Sequence, residues 1–184
     1  FQTDDGNTQY RKEDGTVYCD EFAEIDGKLY FFGWYGNLTK DTTFTKWSTV
    51  TFHDRYYKAT ADGSLVTNQW DESGNMYYGA DGGTVAGLQT IDGKQYYFDS
   101  NCSLRRGGRL EDVEGSCYFV DDDGVLTLAE NNSWSEYNGK YYYVKDGAFL
   151  RDCVEKIGDD YYCFDYFPYY YCYYFDYNYF DHYF

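Results

Sequence analysis

One phrase recurs along this chain of 184 residues. In "IDGKQYYFDSNCSL" (Ile91–Leu104), an aromatic residue, Tyr96, is followed after five residues by Cys102 and then, two positions on, by Leu104. With Gly in the Cys102 slot, the same frame fits Tyr30, Gly36 and Leu38, then Tyr57, Gly63 and Leu65, then Tyr77, Gly83 and Val85. It continues at Tyr118, Gly124 and Leu126 and at Tyr141, Gly147 and Phe149, with a degenerate copy at Gly15-Thr16-Val17. Successive slots (15, 36, 63, 83, 102, 124, 147) lie 19 to 27 residues apart. A fixed period of this size is the signature of a repeat architecture and constrains the fold more than any single motif.

Each copy reads as a β-hairpin. "IDGK" (Ile25–Lys28 and Ile91–Lys94) and "YNGK" (Tyr137–Lys140) supply Asp-Gly or Asn-Gly turns, which tolerate positive φ. "KLYFF", "KQYYF" and "KYYYV" are short aromatic strands. A lone hairpin of about 20 residues cannot bury its apolar face, so the copies must stack. The expectation is an all-β fold, a β-solenoid of stacked hairpin repeats of about 20 residues, with about seven units over residues 1–164. From Asp165 the period stops, and "DYFPYYYCYYFDYNYFDHYF" is almost entirely aromatic and acidic. Residues 165–184 are therefore expected to form a cap over the last hairpin or an assembly segment.

Composition narrows function. Aromatics make up 24% of the chain, including 26 Tyr, with one Met and few aliphatics, so rings must do the packing. The formal charge of −17 argues against a nucleic-acid surface and against adhesion to anionic lipid. No apolar run of spanning length occurs, so membrane insertion is not expected. The sequence begins at Phe1 without a leader pattern and reads as a mature or excised fragment. Two histidines (His53, His182) and cysteines without C-x-x-C spacing argue against a structural metal, and no cofactor motif is present. "VDDDGVL" (Val120–Leu126) lacks calcium-loop spacing and reads as a charged turn. With no G-x-S-x-G and no readable carboxylate dyad, catalysis is not expected. Asn37, Asn101 and Asn131 open N-x-S/T triplets, candidate glycosylation sites in a secreted or cell-surface chain.

The units resemble the bacterial cell-wall-binding repeats: choline-binding modules, glucan-binding repeats of glucosyltransferases and the C-terminal repeats of clostridial toxins. "GLQTIDGKQYYFDSNCSLRRG" (Gly87–Gly107), "IDGKLYFFGWYGNLTK" (Ile25–Lys40) and "NGKYYYVKDGAFLR" (Asn138–Arg151) carry the likeness, which extends over residues 10–164. The resemblance implies a hairpin solenoid that binds carbohydrate or cell wall without catalysis. Choline-type repeats place Trp just before the aromatic that opens the frame, where this chain has Leu29, Tyr56, Met76, Gln95, Cys117 and Lys140. A quaternary ammonium prefers a Trp cage, so a neutral polysaccharide is the expected ligand.

A pyranose stacks its C–H face on a flat ring while its hydroxyls seek polar groups. The candidate platforms are Trp34, Trp47, Trp70, Tyr97, Trp134 and Tyr142, with Gln69, Gln89 and Lys94 as hydroxyl partners. Plain packing between hairpins competes with this reading at every ring. Cysteine is unusual in such repeats. Cys102 and Cys117, in consecutive units, and Cys153 and Cys163 are the disulfide candidates. The alternative function is a self-associating extracellular filament or matrix subunit, joined end to end or through the tail.

Overall fold

The computed structural model describes residues 7–49, 52–164 and 173–174. These are all-β: seventeen strands and no helix among the described residues. The strands are β1 (Glu21–Ile25), β2 (Lys28–Phe32), β3 (Thr42–Ser48), β4 (His53–Ala59), β5 (Gln69–Trp70), β6 (Tyr77–Tyr78), β7 (Gly87–Ile91), β8 (Lys94–Phe98) and β9 (Arg109–Val113). They continue as β10 (Ser116–Val120), β11 (Leu126–Leu128), β12 (Ser133–Tyr137), β13 (Lys140–Lys145), β14 (Ala148–Phe149), β15 (Cys153–Ile157), β16 (Asp160–Phe164) and β17 (Tyr173–Tyr174). Consecutive strands pair into seven small sheets, each built on one antiparallel hairpin. The tail expected at 165–184 lies outside the described residues except for Tyr173–Tyr174, whose backbone pairs with Cys163 and Tyr162 of β16.

Two compact units form. The first comprises Phe1–Gln89 and Phe98–Leu104, and the second Thr90–Tyr97 and the chain from Arg105 onward. In both, a repeated turn sets the geometry. The amides of residues 15, 36, 63, 82, 102 and 124 each bond the carbonyl three residues earlier, and that earlier residue's amide bonds the carbonyl one past the slot. Such a turn ends on a residue in the left-handed region, and the slot φ values run from +61° to +89°. Cys102 takes this conformation at φ +61° in place of Gly, with no exposed surface.

The turn corrects the sequence frame at two copies. In the third, the left-handed residue is Gly82 rather than Gly83, so Met76 and Thr84, not Tyr77 and Val85, occupy the aromatic and apolar positions. Gly83 has another reason to be glycine. A Cβ there would lie 2.6 Å from Cζ of Arg55, whose guanidinium fills the space. In the sixth copy the turn is one residue shorter. Lys145 pairs directly with Ala148, which puts Tyr142 rather than Tyr141 at the inward position.

Two positions past the frame aromatic, each second strand buries one side chain: Phe32, Ala59, Tyr78, Phe98, Val120, Val144 and Phe164. Within the first unit these hairpins stack. The amides of Leu38, Leu65, Thr84 and Leu104 bond the carbonyls of Thr8, Leu29, Tyr56 and Asn75, each one hairpin earlier. A bridge between Tyr96 and Val125 repeats the relation in the second unit. Phe31, Tyr57, Ala59 and Leu65 form a core in the first unit, and Cys117, Phe119, Ala129, Val144 and Phe149 one in the second. Neither is large, as expected when stability comes from nearest-neighbour contacts.

Candidate functional site

The first unit contains a cleft of about 870 Å³ between the β1–β2 hairpin and the chain that follows it. Phe22, Leu29, Tyr57 and Leu65 form its apolar wall, and Glu24, Lys28, Asn68 and Asp81 its polar rim. Strand alternation places Phe22 opposite Phe31, and its ring meets the next hairpin at Tyr57, 4.9 Å between centroids. Burial raises the Tyr57 phenol above its usual value.

Two of the rim charges, Lys28 and Asp81, are held in ion pairs. Lys28 Nζ donates to Asp62 Oδ2 at 3.1 Å. Asp62 is held well below the carboxylate range by hydrogen bonds from Ser64 and Thr60, then by Lys28. One repeat on, Arg55 takes the position of Lys28 and donates to both oxygens of Asp81 at 2.6 and 2.8 Å. It also donates to the carbonyls of Thr84 and Gly83 at 2.8 and 2.9 Å. Burial pushes the Asp81 carboxyl up, but the Arg55 hydrogen bond and the Gly83 amide outweigh it and hold it low. The sequence reading missed this repeated cation-to-turn bridge, although Lys28, Arg55 and Lys94 all stand two residues before their frame aromatics.

The nine expected site residues divide sharply. Trp34 and Tyr35 are the central residues of the repeated turn that ends at Gly36 and are 76% and 82% exposed. Gln9 Nε2 donates to the Tyr35 carbonyl at 3.0 Å and to Asn37 Oδ1 at 3.1 Å, so the turn is held from beneath. Trp47, opposite Asp54 on the β3–β4 hairpin, is 62% exposed. Gln69 and Lys94 are exposed, Tyr97 is half-buried, and Gln89 spends its amide on the Ala86 carbonyl at 2.9 Å. Trp34, Trp47, Trp70, Gln69 and Gln89 do not line the cleft.

The other rings are engaged in packing. Trp70 stands edge-on to its cross-strand partner Tyr77 at 5.3 Å and reaches Phe98 of the next hairpin at 5.7 Å. In the second unit Trp134 stands edge-on to Tyr143 at 5.2 Å and reaches Tyr162 and Phe164 of the next hairpin at 4.8 and 5.9 Å. Phe22, Trp70 and Trp134 thus hold one structural position, the first-strand residue opposite the position after the frame aromatic. Tyr142 packs against Phe119 and Phe149 at 5.5 and 6.1 Å. Exposed rings appear instead one residue before the frame position, at Tyr56, Tyr141 and Tyr161.

The disulfide candidates Cys102, Cys117, Cys153 and Cys163 are free thiols in the structure. Cys102 Sγ is buried against the Thr84 carbonyl, and Cys117 Sγ faces Asp112 Oδ1 and the Gly147 carbonyl, both at 3.2 Å. Cys153 lies opposite Phe164 and Cys163 opposite Val154, so strand alternation sends the two thiols to opposite faces of one hairpin. Burial, followed by the neighbouring Asp112, pushes the Cys117 thiol up to about 12. Of the candidate glycosylation sites, Asn101 and Asn131 are exposed and Asn37 is half-buried at its turn. Among the described residues no group of His, Cys, Asp and Glu side chains could hold a metal.

In the first unit successive hairpins are bonded each to the one before it and meet through aromatic contacts, which is the arrangement of a repeat module. Comparison with known proteins places it further. Residues 85–127 match the family described as choline-binding repeat. Glucosyltransferase-I of Streptococcus downei is 30% identical over 148 residues, which is 76% of this chain and 9% of that protein. Glucosyltransferase-S of the same species is 32% identical over 143 residues, 76% of this chain and 10% of that protein. Choline-binding protein F from Streptococcus pneumoniae superposes with a TM-score of 0.50 at 19% identity, over 81% of this chain and 50% of that one. The chain therefore spans about one tenth of the length of the curated relatives it matches. It is a repeat module similar to the choline-binding repeat and to a part of the streptococcal glucosyltransferases, as its wording implied.

Proposed function

We propose that this chain is a non-catalytic module, secreted or held at the cell surface, that binds a neutral glucan-like polysaccharide through aromatic platforms. The observation that carries the reading is the Trp34-Tyr35 pair, two large rings left in solvent on a turn that Gln9 braces. Rings exposed on a fixed backbone lose little entropy when a sugar covers them. Covering one face of a Trp removes about half of its 150–250 Å² from water, worth roughly 2–3 kcal/mol before the cost of association. Such a site is weak alone, and useful affinity requires several along one chain of sugar. Trp47 is a second platform, and the cleft beside Phe22 and Tyr57 offers a ring wall with hydrogen-bonding groups at its rim.

The similarity to glucosyltransferases favours a glucosyl polymer, and the corrected register still places no Trp before the frame aromatic: Leu29, Tyr56, Asn75, Gln95, Cys117 and Tyr141 stand there. The test is calorimetric titration of the chain with soluble dextran and, separately, with choline. Trp34→Ala/Tyr35→Ala is expected to weaken dextran binding about tenfold, equivalent to about 1.4 kcal/mol. Unchanged dextran affinity in this variant overturns the platform assignment. A wild-type chain that binds choline and not dextran overturns the glycan.

A further inference from the structure

The β1–β2 and β3–β4 hairpins meet across four rings. Phe31 stacks on Phe44 at 4.7 Å, Phe44 on Tyr57 at 5.4 Å, and Phe22 leans against Phe31 at 4.9 Å. Lys46, two residues along β3 from Phe44, sends its ammonium over the Phe31 ring at 4.8 Å from the centroid. The same nitrogen lies 2.5 Å from Asp20 Oδ1. A ring face on one side and a carboxylate on the other are what an organic cation needs to leave water. The arrangement occurs again in the same unit. Lys12 Nζ lies 4.6 Å from the Tyr18 centroid and 2.7 Å from Glu21 Oε1. In both, the ammonium belongs to the chain itself.

We propose that Lys46 is a built-in ligand: its ammonium fills a cation site made by the Phe31 face and the Asp20 carboxylate, and so denies that site to small quaternary ammonium compounds. The neighbouring cation cannot take over, because Arg55, the cross-strand partner of Lys46, is committed to Asp81 and two carbonyls. Removing the Lys46 side chain uncovers the Phe31 face and leaves Asp20 without its counter-charge. A compact cation such as choline or tetramethylammonium matches the vacancy in charge and in its demand for a ring. Lys46 is then a specificity-determining residue that shifts the module away from cations. The inference does not depend on the glycan reading, since dextran binding at Trp34 is expected to be the same with or without Lys46.

The experiment is thermal denaturation of wild type, Lys46→Ala and Lys46→Ala/Asp20→Asn in rising choline chloride, with sodium chloride as the ionic-strength control. The expected result is a saturable rise in Tm for Lys46→Ala alone, with half-saturation in the millimolar range. An equal choline response in wild type, or none in Lys46→Ala, overturns the proposal. Competitive acetylation of the unmodified protein gives a second readout that needs no variant. Lys46 and Lys12 are expected to react several-fold more slowly than the exposed Lys94. If Lys46 reacts as fast as Lys94, the ammonium is not held and the proposal fails.

Discussion

Trp70 and Trp134 lie in different units yet make the same arrangement, edge-on to a tyrosine across the hairpin and against a phenylalanine of the next one. Trp34 and Trp47 lie in turns or strands of the first unit and keep most of their surface in water. One residue type therefore serves two purposes, and the position within the repeat decides which. A Trp opposite the position after the frame aromatic faces the neighbouring hairpin and is consumed by packing. Trp34 at the centre of a repeated turn, and Trp47 opposite Asp54 on β3, stay available.

The strongest way to break this distinction is to remove a packing ring. Trp134→Ala is expected to cost about 3 kcal/mol in urea unfolding, since it deletes ring contacts to Tyr143, Tyr162 and Phe164 together. Trp34→Ala is expected to change stability by less than about 0.5 kcal/mol. Comparable losses in the two variants would erase the distinction.

A smaller effect is expected at Gly83. A methyl group there forces the Arg55 guanidinium from its place, and the bonds to Asp81, Thr84 and Gly83 go with it. The cost is expected to be about 2 kcal/mol, within the usual range for overpacking. In a double-mutant cycle, Gly83→Ala added to Arg55→Ala should cost almost nothing further, because the clash has already been removed. Full additivity would show that Gly83 is glycine for some other reason.

The smallest expected signal is a pH dependence in the second unit. The folded Cys117 thiol titrates near 12, pushed up mainly by burial, whereas an unfolded thiol titrates near its ordinary value of about 8.5. The unfolded chain thus releases this proton first. The contribution is fully present below the unfolded value and is lost as pH rises toward the folded one. The difference in urea midpoint between wild type and Cys117→Ala should shrink between pH 9 and pH 11, and a constant difference would refute the linkage.

Much of the fold was legible because the turn demands one left-handed residue and one inward side chain two positions later, and both recur at fixed spacing. Misreadings arose where spacing alone could not choose between neighbours. In "DGG" (Asp81–Gly83) either glycine could serve as the slot, and only the hydrogen bonds select Gly82. In "YYYVKDGAF" (Tyr141–Phe149) a turn shortened by one residue moved the inward face from Tyr141 to Tyr142, so the exposed and buried tyrosines were exchanged. Of the candidate platforms, Trp34 and Trp47 keep most of their surface in water. The position that Trp70 and Trp134 share went unseen because the frame followed the second strand of each hairpin. Aligning first strands would have set them beside Phe22. The cleft was invisible for a related reason: its walls come from separate repeats, and no local window contains both Phe22 and Tyr57.

The bond from each slot-following amide back to the preceding hairpin's carbonyl has an evolutionary consequence. Donor and acceptor are main-chain groups, so the joint between neighbours asks little of side-chain identity. The connecting segment is likewise unconstrained, since the turns at 36, 63, 82 and 102 keep their geometry across gaps of 27, 19 and 20 residues. Duplication or deletion of one whole hairpin presents every remaining donor with an equivalent acceptor. Copy number can drift by recombination without a compensating mutation, while the rings on individual turns diverge to suit whatever surface the lineage meets.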